Sequence, residues 1–318
     1  MSKCNNFRLI GDPHITRKFS FGVPLARRGE RETLLFADFK KRLYRGTEKN
    51  VIMVGDLLEK PICSLQDLHE IVRMLLTAAA RQPHRQFFMM AGNHDVSPEK
   101  NNPGAFDVLV MLNGFFDNLH FVTRPLVRDR IALFPWEWDR TALQQLEDVE
   151  AGSFDVAVGH WDLIAYNDMH MDHYCPAEQL IQMGAKKLYS GHWHVAGDYT
   201  VDGHTVHCTG SMQPMTHAED PSGQMYVTLS LTEYEAADPK TLKDKYVRVE
   251  ADEDDIVEPL LDCLGFKVKR NKNNSEDVVE DVQVDSFNAK EIVEQNLVKH
   301  EVPEDVGNYI KEQIDADS

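Results

Sequence analysis

Five short apolar segments of this sequence each end in a glycine that is followed by a side chain able to bind a metal ion. Each segment has the length and composition of a buried strand, and ligands of α/β folds collect at the carboxyl ends of strands. A single Gly-Asp pair is a common turn, but five such strand ends predict one shared site. Its candidate ligands are Asp12, Asp56, Asn93, His160 and His192.

The pattern between these strands predicts an α/β fold. Residues 30–44 have apolar residues at helical spacing, and Ser64 is a candidate N-cap for a helix that extends to residue 80. Helices and strands alternate in the first half of the chain, whereas strands dominate the later part. We therefore expect a layered β-sandwich with helices on both outer faces, an α/β/β/α arrangement.

The pattern changes towards the C-terminus, which predicts four parts. A catalytic domain would span 1–236, and a small α/β capping segment would span 237–270, with a helix at 254–264 between two strands. The polar and acidic residues 271–285 have the composition of a linker. Residues 286–318 are predicted to form a terminal helix-loop-helix.

The composition is that of a globular protein of 318 residues, 42% of them hydrophobic. The apolar runs are too short to span a bilayer, and the N-terminus has no signal-peptide pattern. The five cysteines are scattered and form no Cys-x-x-Cys pair, which is typical of reduced thiols. We therefore expect a cytoplasmic protein that does not enter membranes.

The acidic charge of the chain is unevenly distributed. The formal net charge is −18, and residues 217–318 contribute −15 of it, with 11 Lys and Arg against 26 Asp and Glu. Residues 17–49 instead contain ten Lys and Arg against four Asp and Glu. Such a basic stretch is either a solvated helix face or a phosphate-binding surface. The candidate contacts to a phosphate backbone within it are Arg17, Lys18, Arg27 and Arg28.

The candidate ligands combine carboxylate and amide oxygens with imidazoles, and they include no cysteine. This mixture favours Mn²⁺, with Mg²⁺, Fe and Zn²⁺ as alternatives, and argues against a structural zinc site. His14 and His194, each two residues after another candidate, extend the set. A bridging carboxylate with several further ligands is typical of two metals about 3.5–4 Å apart, which catalyse displacement at phosphorus.

His94 and Asp95 follow Asn93 directly and are the catalytic candidates. His94 could donate a proton to the leaving group or stabilise charge on the phosphoryl oxygens. Asp95 would then fix the tautomer and orientation of that imidazole.

Taken in order, these motifs resemble those of the calcineurin-like metallophosphoesterase superfamily, over roughly residues 7–216. The resemblance implies that Asp56 bridges two metals and that His94 is the catalytic histidine. It also assigns the other ligands. The first metal would be held by Asp12, His14, Asp56 and His194, and the second by Asp56, Asn93, His160 and His192.

Several details are similar to SbcD-type nuclease subunits, which act with an SMC-like ATPase in DNA end processing. The matching segments are 28–36, Gly55 to Leu58 with Pro61 and Ser64, and Gly210 to Thr216 with Glu219. By position, 245–270 corresponds to that family's DNA-contacting cap, and 286–314 to the helices that bind the ATPase. Glu59 occupies a position at which some of these nucleases have a histidine.

The leading hypothesis is thus a two-metal DNA exonuclease, with endonuclease activity left open, whose partner is an SbcC-type ATPase. The alternative is a phosphomonoesterase, protein phosphatase or cyclic-nucleotide phosphodiesterase on the same scaffold. A non-catalytic scaffold protein is disfavoured, because the expected ligand set is complete.

For some aromatic and histidine residues and two helices, a structural role is an alternative to a functional one. Trp136 and Trp138 could stack on a base, but core packing is the simpler interpretation; His170 and His173 are expected in a surface loop. The apolar helices at 64–80 and 105–116 could form a homodimer face or could pack only against the core.

Overall fold

A computed structural model describes residues 6–99, 102–164 and 172–271. The predicted helices at 286–318 lie outside these residues, as does the predicted linker beyond Asn271. Among the described helices, none is long and apolar enough to cross a membrane.

A four-stranded parallel sheet forms the first inner layer. In spatial order its strands are β1 (Phe7–Ile10), β2 (Asn50–Met53), β3 (Gln86–Met90) and β4 (Leu119–Val122). Every residue of β2 is buried, as expected for a parallel strand that is covered on both faces.

Three helices cover the outer face of this sheet, namely α1 (Glu30–Tyr44), α2 (Leu65–Arg81) and α3 (Ala105–Val110). Helix α1 buries Leu35, Phe39 and Leu43, whose spacing of four residues places them on one face. Helix α2 begins where predicted, because Oγ of Ser64 accepts a hydrogen bond from the Asp67 N–H at 3.0 Å. Helix α3 ends earlier than predicted.

A six-stranded sheet forms the second inner layer. In spatial order its strands are β5 (Leu126–Arg128), β6 (Ile131–Phe134), β7 (Val156–Gly159), β8 (Lys187–Ser190), β10 (His204–Cys208) and β9 (Gly197–Val201). The four central strands are parallel, and the two edge strands are antiparallel to their neighbours. Short helices α4 (Ala142–Gln145) and α5 (Ala177–Gln182) contribute to the core on its outer face.

The two sheets pack face to face through alternate strand residues. Ile52 and Phe88 of the first sheet belong to the same buried cluster as Leu133 and Val158 of the second. The predicted α/β/β/α layering is therefore confirmed, and the predicted strands end at one edge of the sandwich.

A third sheet follows, with parallel strands β11 (Tyr226–Ser230), β12 (Tyr246–Asp252) and β13 (Gly265–Asn271). Helices α6 (Leu231–Ala236) and α7 (Pro239–Leu242) connect the first two strands. Because β11 belongs to this sheet, the cap begins before residue 237. Three single-turn 3₁₀ segments, Leu25–Arg27, Leu146–Asp148 and His217–Glu219, complete the described elements.

The helix predicted at 254–264 is wrong. This segment connects β12 to β13 without helical structure, and Pro259 lies at its middle, where its ring and missing N–H oppose a helix. Ile256 and Leu261, which would have supplied an apolar helix face, are 87% and 70% exposed.

Candidate metal centre

The loops after five parallel strands bring distant parts of the chain together. Asp12, Asp56 and Asn93 follow β1, β2 and β3, whereas His160 and His192 follow β7 and β8. Parallel strands place their carboxyl ends at one edge, so the two sheets present these loops to each other.

Gly55 permits the close approach of the β2 loop to His160. Its φ is +117°, and a Cβ at this position would lie 2.0 Å from Nδ1 of His160. A non-glycine residue would therefore be strained in its backbone and would also clash. Asp56 itself has a left-handed φ of 52°, which aims its carboxylate between the two sheets.

The first metal group comprises Asp12, His14, Asp56 and His194, whose ligand atoms all lie within 4.8 Å of one another. Nε2 of His14 lies 3.1 Å from Nε2 of His194 and 3.5 Å from Oδ2 of Asp56. Oδ2 of Asp12 lies 3.9 Å from Nε2 of His194. These are the residues that the resemblance implies for the first metal.

The second metal group comprises Asp56, Asn93, His160 and His192. Oδ2 of Asp56 lies 3.4 Å from Nε2 of His160. Oδ1 of Asn93 lies 3.0 Å from both Nε2 of His160 and Nδ1 of His192. Asp56 belongs to both groups, which is the arrangement expected of a bridging carboxylate.

The chemistry of these groups fits divalent cations. Both carboxylate oxygens of Asp12 and Oδ2 of Asp56 are buried and have no hydrogen-bond partner among the described residues. Buried carboxylates without hydrogen bonds are unfavourable unless positive charge, such as that of a cation, compensates them. His14 and His194 in addition face each other through Nε2, although each directs Nδ1 at a carboxylate. A bound cation would satisfy both lone pairs.

Acceptors behind the histidines set which ring nitrogen faces the metal groups. Glu59 Oε2 lies 3.1 Å from Nδ1 of His14, Glu219 Oε1 lies 3.3 Å from Nδ1 of His194, and Asp162 Oδ1 lies 2.9 Å from Nε2 of His192. The Val54 carbonyl accepts from Nδ1 of His160 at 2.8 Å. Such outer partners fix the tautomer and raise the basicity of a metal-binding imidazole.

Sequence reasoning assigned no role to these outer carboxylates. Glu219 entered only as part of a matching segment, and Glu59 only as a departure from the family pattern. Asp162 had one available signal, its position two residues after the ligand His160.

Burial and charge perturb the acid–base behaviour of the centre. Burial raises the pKa of Asp12 to about 7. Burial also opposes ionisation of Asp56, but the neighbouring His160 and His14 hold its pKa below the usual range. Burial lowers the pKa of His14. A bound divalent cation would favour the ionised carboxylates and neutral imidazoles.

His94 lies beside the first metal group, with its ring centroid 4.9 Å from that of His14. Its backbone N–H donates to Oδ1 of Asp56 at 2.9 Å, and its Nδ1–H donates to the Glu59 carbonyl at 2.7 Å. This hydrogen bond leaves Nε2 as the nitrogen able to hold or give a proton to a substrate.

The expected pairing of Asp95 with His94 is wrong. The buried carboxylate of Asp95 accepts the backbone N–H groups of Leu57, Leu58 and Gly92 at 3.2, 2.8 and 2.9 Å. It therefore ties the β2 loop to the β3 loop, and the Glu59 carbonyl orients His94 instead. Asp95 supports the centre through the backbone and is not a catalytic residue in this geometry.

The four predicted DNA contacts fall in different surroundings. Arg17 is 3.4 Å from Glu59, which contacts the candidate ligand His14, so Arg17 lies close to the centre. Lys18 is 2.8 Å from Asp67 in the first turn of α2. The Arg27 side chain is only 10% exposed and pairs with Glu30, Asp244 and Asp262. It links the 3₁₀ segment to the third sheet and is not available to DNA. Arg28 is exposed.

The aromatic candidates pack behind the second metal group. Trp136 is 7% exposed and stacks on His173, with ring centroids 3.6 Å apart. Trp138 donates from Nε1 to the Val96 carbonyl at 3.0 Å. These contacts favour the packing interpretation. His170 lies outside the described residues.

The comparison with family profiles agrees with this geometry. The profile of calcineurin-like phosphoesterases matches residues 6–196, a range that contains both metal groups. A comparison with curated protein sequences gives no significant match. Similar solved structures include the phosphopantetheinyl hydrolase from Mycobacterium tuberculosis, which is 14% identical, with a TM-score of 0.40 over 69% of this chain and 92% of that one.

Proposed function

Since the chain belongs to the calcineurin-like phosphoesterase family, a family of dinuclear metal-dependent hydrolases, we propose that it is a DNA phosphodiesterase with exonuclease activity. Two divalent cations, with Mn²⁺ as the proposed pair, supply Lewis acidity and an activated water when bound. His94 would give a proton from Nε2 to the leaving oxygen, held in place by the Glu59 carbonyl.

The observation that carries the proposal is a basic track beside the first metal group. Two open clefts of about 350 and 460 Å³ share Arg17 and Lys18 as lining residues. The larger one is lined by Lys60 and also by Glu59 and Asp67, which pair with Arg17 and Lys18. The smaller one reaches Arg248 and Lys267 of the third sheet and has no acidic residue among its described lining residues. A polymer with repeated phosphates can use such a track, whereas a small monoester needs only the centre.

The track supports a nucleic-acid substrate despite the acidic composition of the chain. Most of the net charge of −18 comes from residues 217–318, and the track concentrates lysine and arginine where a backbone would approach the metals. Local potential, more than net charge, steers a charged ligand to its site.

We further propose that the protein acts in the cytoplasm with an SMC-like ATPase of the SbcC type, which would bind residues 286–318. A homodimer is proposed through the exposed apolar residues near α2 and α3. Ile62, Leu65, Met111 and Phe115 are 73%, 84%, 75% and 71% exposed. Sedimentation of the wild type against Leu65→Asp tests the dimer, and a monomeric wild type would contradict it.

The catalytic proposal is tested with end-labelled double-stranded DNA and bis(p-nitrophenyl) phosphate, each with Mn²⁺. We expect the wild type to degrade both substrates and His94→Ala to lose DNA degradation. Turnover of a phosphomonoester or cyclic nucleotide together with inert DNA, in the presence of the ATPase, would contradict the nuclease and favour the alternative hydrolase.

A further inference from the structure

The smaller cleft lies between residues 17–21 and one face of the third sheet. Strand register places Thr228, Arg248 and Lys267 side by side on this face. Two residues back along β11 and β12, on the same face, Tyr226 and Tyr246 stack at 4.6 Å with an interplanar angle of 12° and also line the cleft. The cleft, which we call the Phe21 cleft, is thus lined by stacked aromatic rings and by basic side chains.

Phe21 is an aromatic side chain held out into solvent by a fixed backbone. Its side chain is 81% exposed, and Nζ of Lys267 lies 5.6 Å from its ring centroid. The next residue, Gly22, accepts a backbone hydrogen bond from Phe266 at 2.7 Å. A Cβ on Gly22 would lie 2.4 Å from the Phe266 carbonyl oxygen. The loop is therefore anchored to β13, and this anchor holds the Phe21 ring in solvent.

The charged side chains that line the Phe21 cleft are all basic, although Arg17 and Lys18 pair with Glu59 and Asp67 outside its lining. Arg17, Lys18, Arg248 and Lys267 line the cleft, and no aspartate or glutamate is among its described lining residues. Burial and the neighbouring Arg248 and Lys267 lower the pKa of His217, at the wall of the cleft, to about 4. The cleft thus repels protons and other cations, and it attracts anions.

The cleft is also connected to the metal centre. Glu219, whose Oε1 lies 3.3 Å from Nδ1 of His194, accepts hydrogen bonds from the Met215 backbone N–H at 2.8 Å and from the Thr216 hydroxyl at 3.1 Å. Met215 and Thr216 line the Phe21 cleft. A strand that occupies the cleft therefore lies next to the first metal group.

We infer that the Phe21 cleft binds an unpaired stretch of the DNA strand, with a base stacked on Phe21 and flanking phosphates on Arg248 and Lys267. An exposed aromatic ring beside cations matches the stacking platforms of single-strand binding sites. A base inside a duplex is already stacked on both faces and cannot use the ring. The inference rests on the proposed function and adds to it a preference for frayed or single-stranded ends.

The test is equilibrium binding of labelled twelve-nucleotide thymidine and abasic strands by fluorescence anisotropy, in EDTA, so that no cleavage occurs. We expect Phe21→Ala to weaken thymidine binding about five- to tenfold, about 1–1.4 kcal/mol, with abasic binding unchanged. Phe21→Trp should restore affinity. Lys267→Ala should weaken the binding of both strands and reduce the salt slope of binding by about 1. Leu143→Ala and Lys187→Ala, which change exposed residues of α4 and β8, are the matched controls.

The outcomes separate this inference from the proposed function. Equal affinity of wild type and Phe21→Ala for thymidine strands, or equal losses for thymidine and abasic strands, would overturn the stacking site. Degradation of double-stranded DNA with Mn²⁺ is measured in parallel. If the wild type degrades DNA while Phe21→Ala binds the thymidine strand as tightly as wild type, the stacking site is refuted and the nuclease is not. If the wild type leaves DNA intact while binding of the thymidine strand depends on Phe21, the nuclease activity is refuted and the stacking site is supported.

Discussion

Replacing Glu59 should weaken metal binding at the first metal group without displacing His94. The Glu59 carboxylate lies 3.1 Å from Nδ1 of His14. Its backbone carbonyl, which holds His94 at 2.7 Å, remains in any side-chain variant. The side chain thus acts on a metal ligand, whereas the main chain acts on the candidate proton donor, so that the two roles can be measured separately.

The magnitude follows from the surroundings of the carboxylate. Outer partners of metal-bound histidines contribute about 10- to 100-fold to affinity, or about 1.4–2.8 kcal/mol. The Glu59 side chain is 25% exposed and shares its charge with Arg17 at 3.4 Å. Solvent and Arg17 both reduce its effect, so we expect a loss of about tenfold for Glu59→Ala. Glu59→Gln retains an acceptor and should lose less.

Calorimetric titration of Mn²⁺ into metal-free protein measures this effect. Asp162→Ala should weaken the second metal group instead, because Asp162 holds His192 at 2.9 Å. Glu70→Gln is the matched control, since Glu70 pairs with Arg73 on the surface of α2. At saturating Mn²⁺, Glu59→Ala should hydrolyse bis(p-nitrophenyl) phosphate at a rate close to wild type. Unchanged Mn²⁺ affinity with a slow rate at saturation would refute the reasoning.

Three further variants test other parts of the structure. Gly55→Ala forces a side chain onto His160 at φ +117° and should lower unfolding free energy by about 2–3 kcal/mol, measured in urea; a wild-type midpoint would contradict it. Burial opposes ionisation of Asp220, but backbone N–H groups at the start of β11 donate hydrogen bonds to its carboxylate and lower its pKa to about 2. The folded pKa lies below the unfolded one, so this stabilisation, about 2 kcal/mol at neutral pH, is lost as pH falls from about 4 to 2. Asp220→Asn should therefore be less stable than wild type at pH 7, and the difference in unfolding free energy should become smaller at lower pH. A difference that does not change with pH would exclude this linkage. Arg27→Ala should leave DNA affinity unchanged, whereas Arg17→Ala should lower the affinity and reduce the salt slope of binding by about 1. Anisotropy titrations in which Arg27→Ala loses more affinity than Arg17→Ala would exclude the assignment of Arg27 to the third sheet.

The layered fold was predictable because its signals are local. Buried strands such as β2 are short apolar runs, and Ser64 caps α2 through a residue three positions away. The segment 254–264 was mispredicted for the same reason. Its apolar spacing is helical, but Pro259 and the packing of the third sheet exclude a helix there.

The sequence by itself determined which side chains could bind metals and at which strand ends they lie, because each candidate immediately follows its own strand. Only the tertiary structure decided how they are oriented. Glu59, Glu219 and Asp162 bring carboxylates from other loops within 2.9–3.3 Å of histidine ring nitrogens, and Asp95 binds backbone N–H groups and not His94. Spacing along the chain carries no information about such partners, because a hydrogen bond depends on distances in space that the packing of two sheets creates.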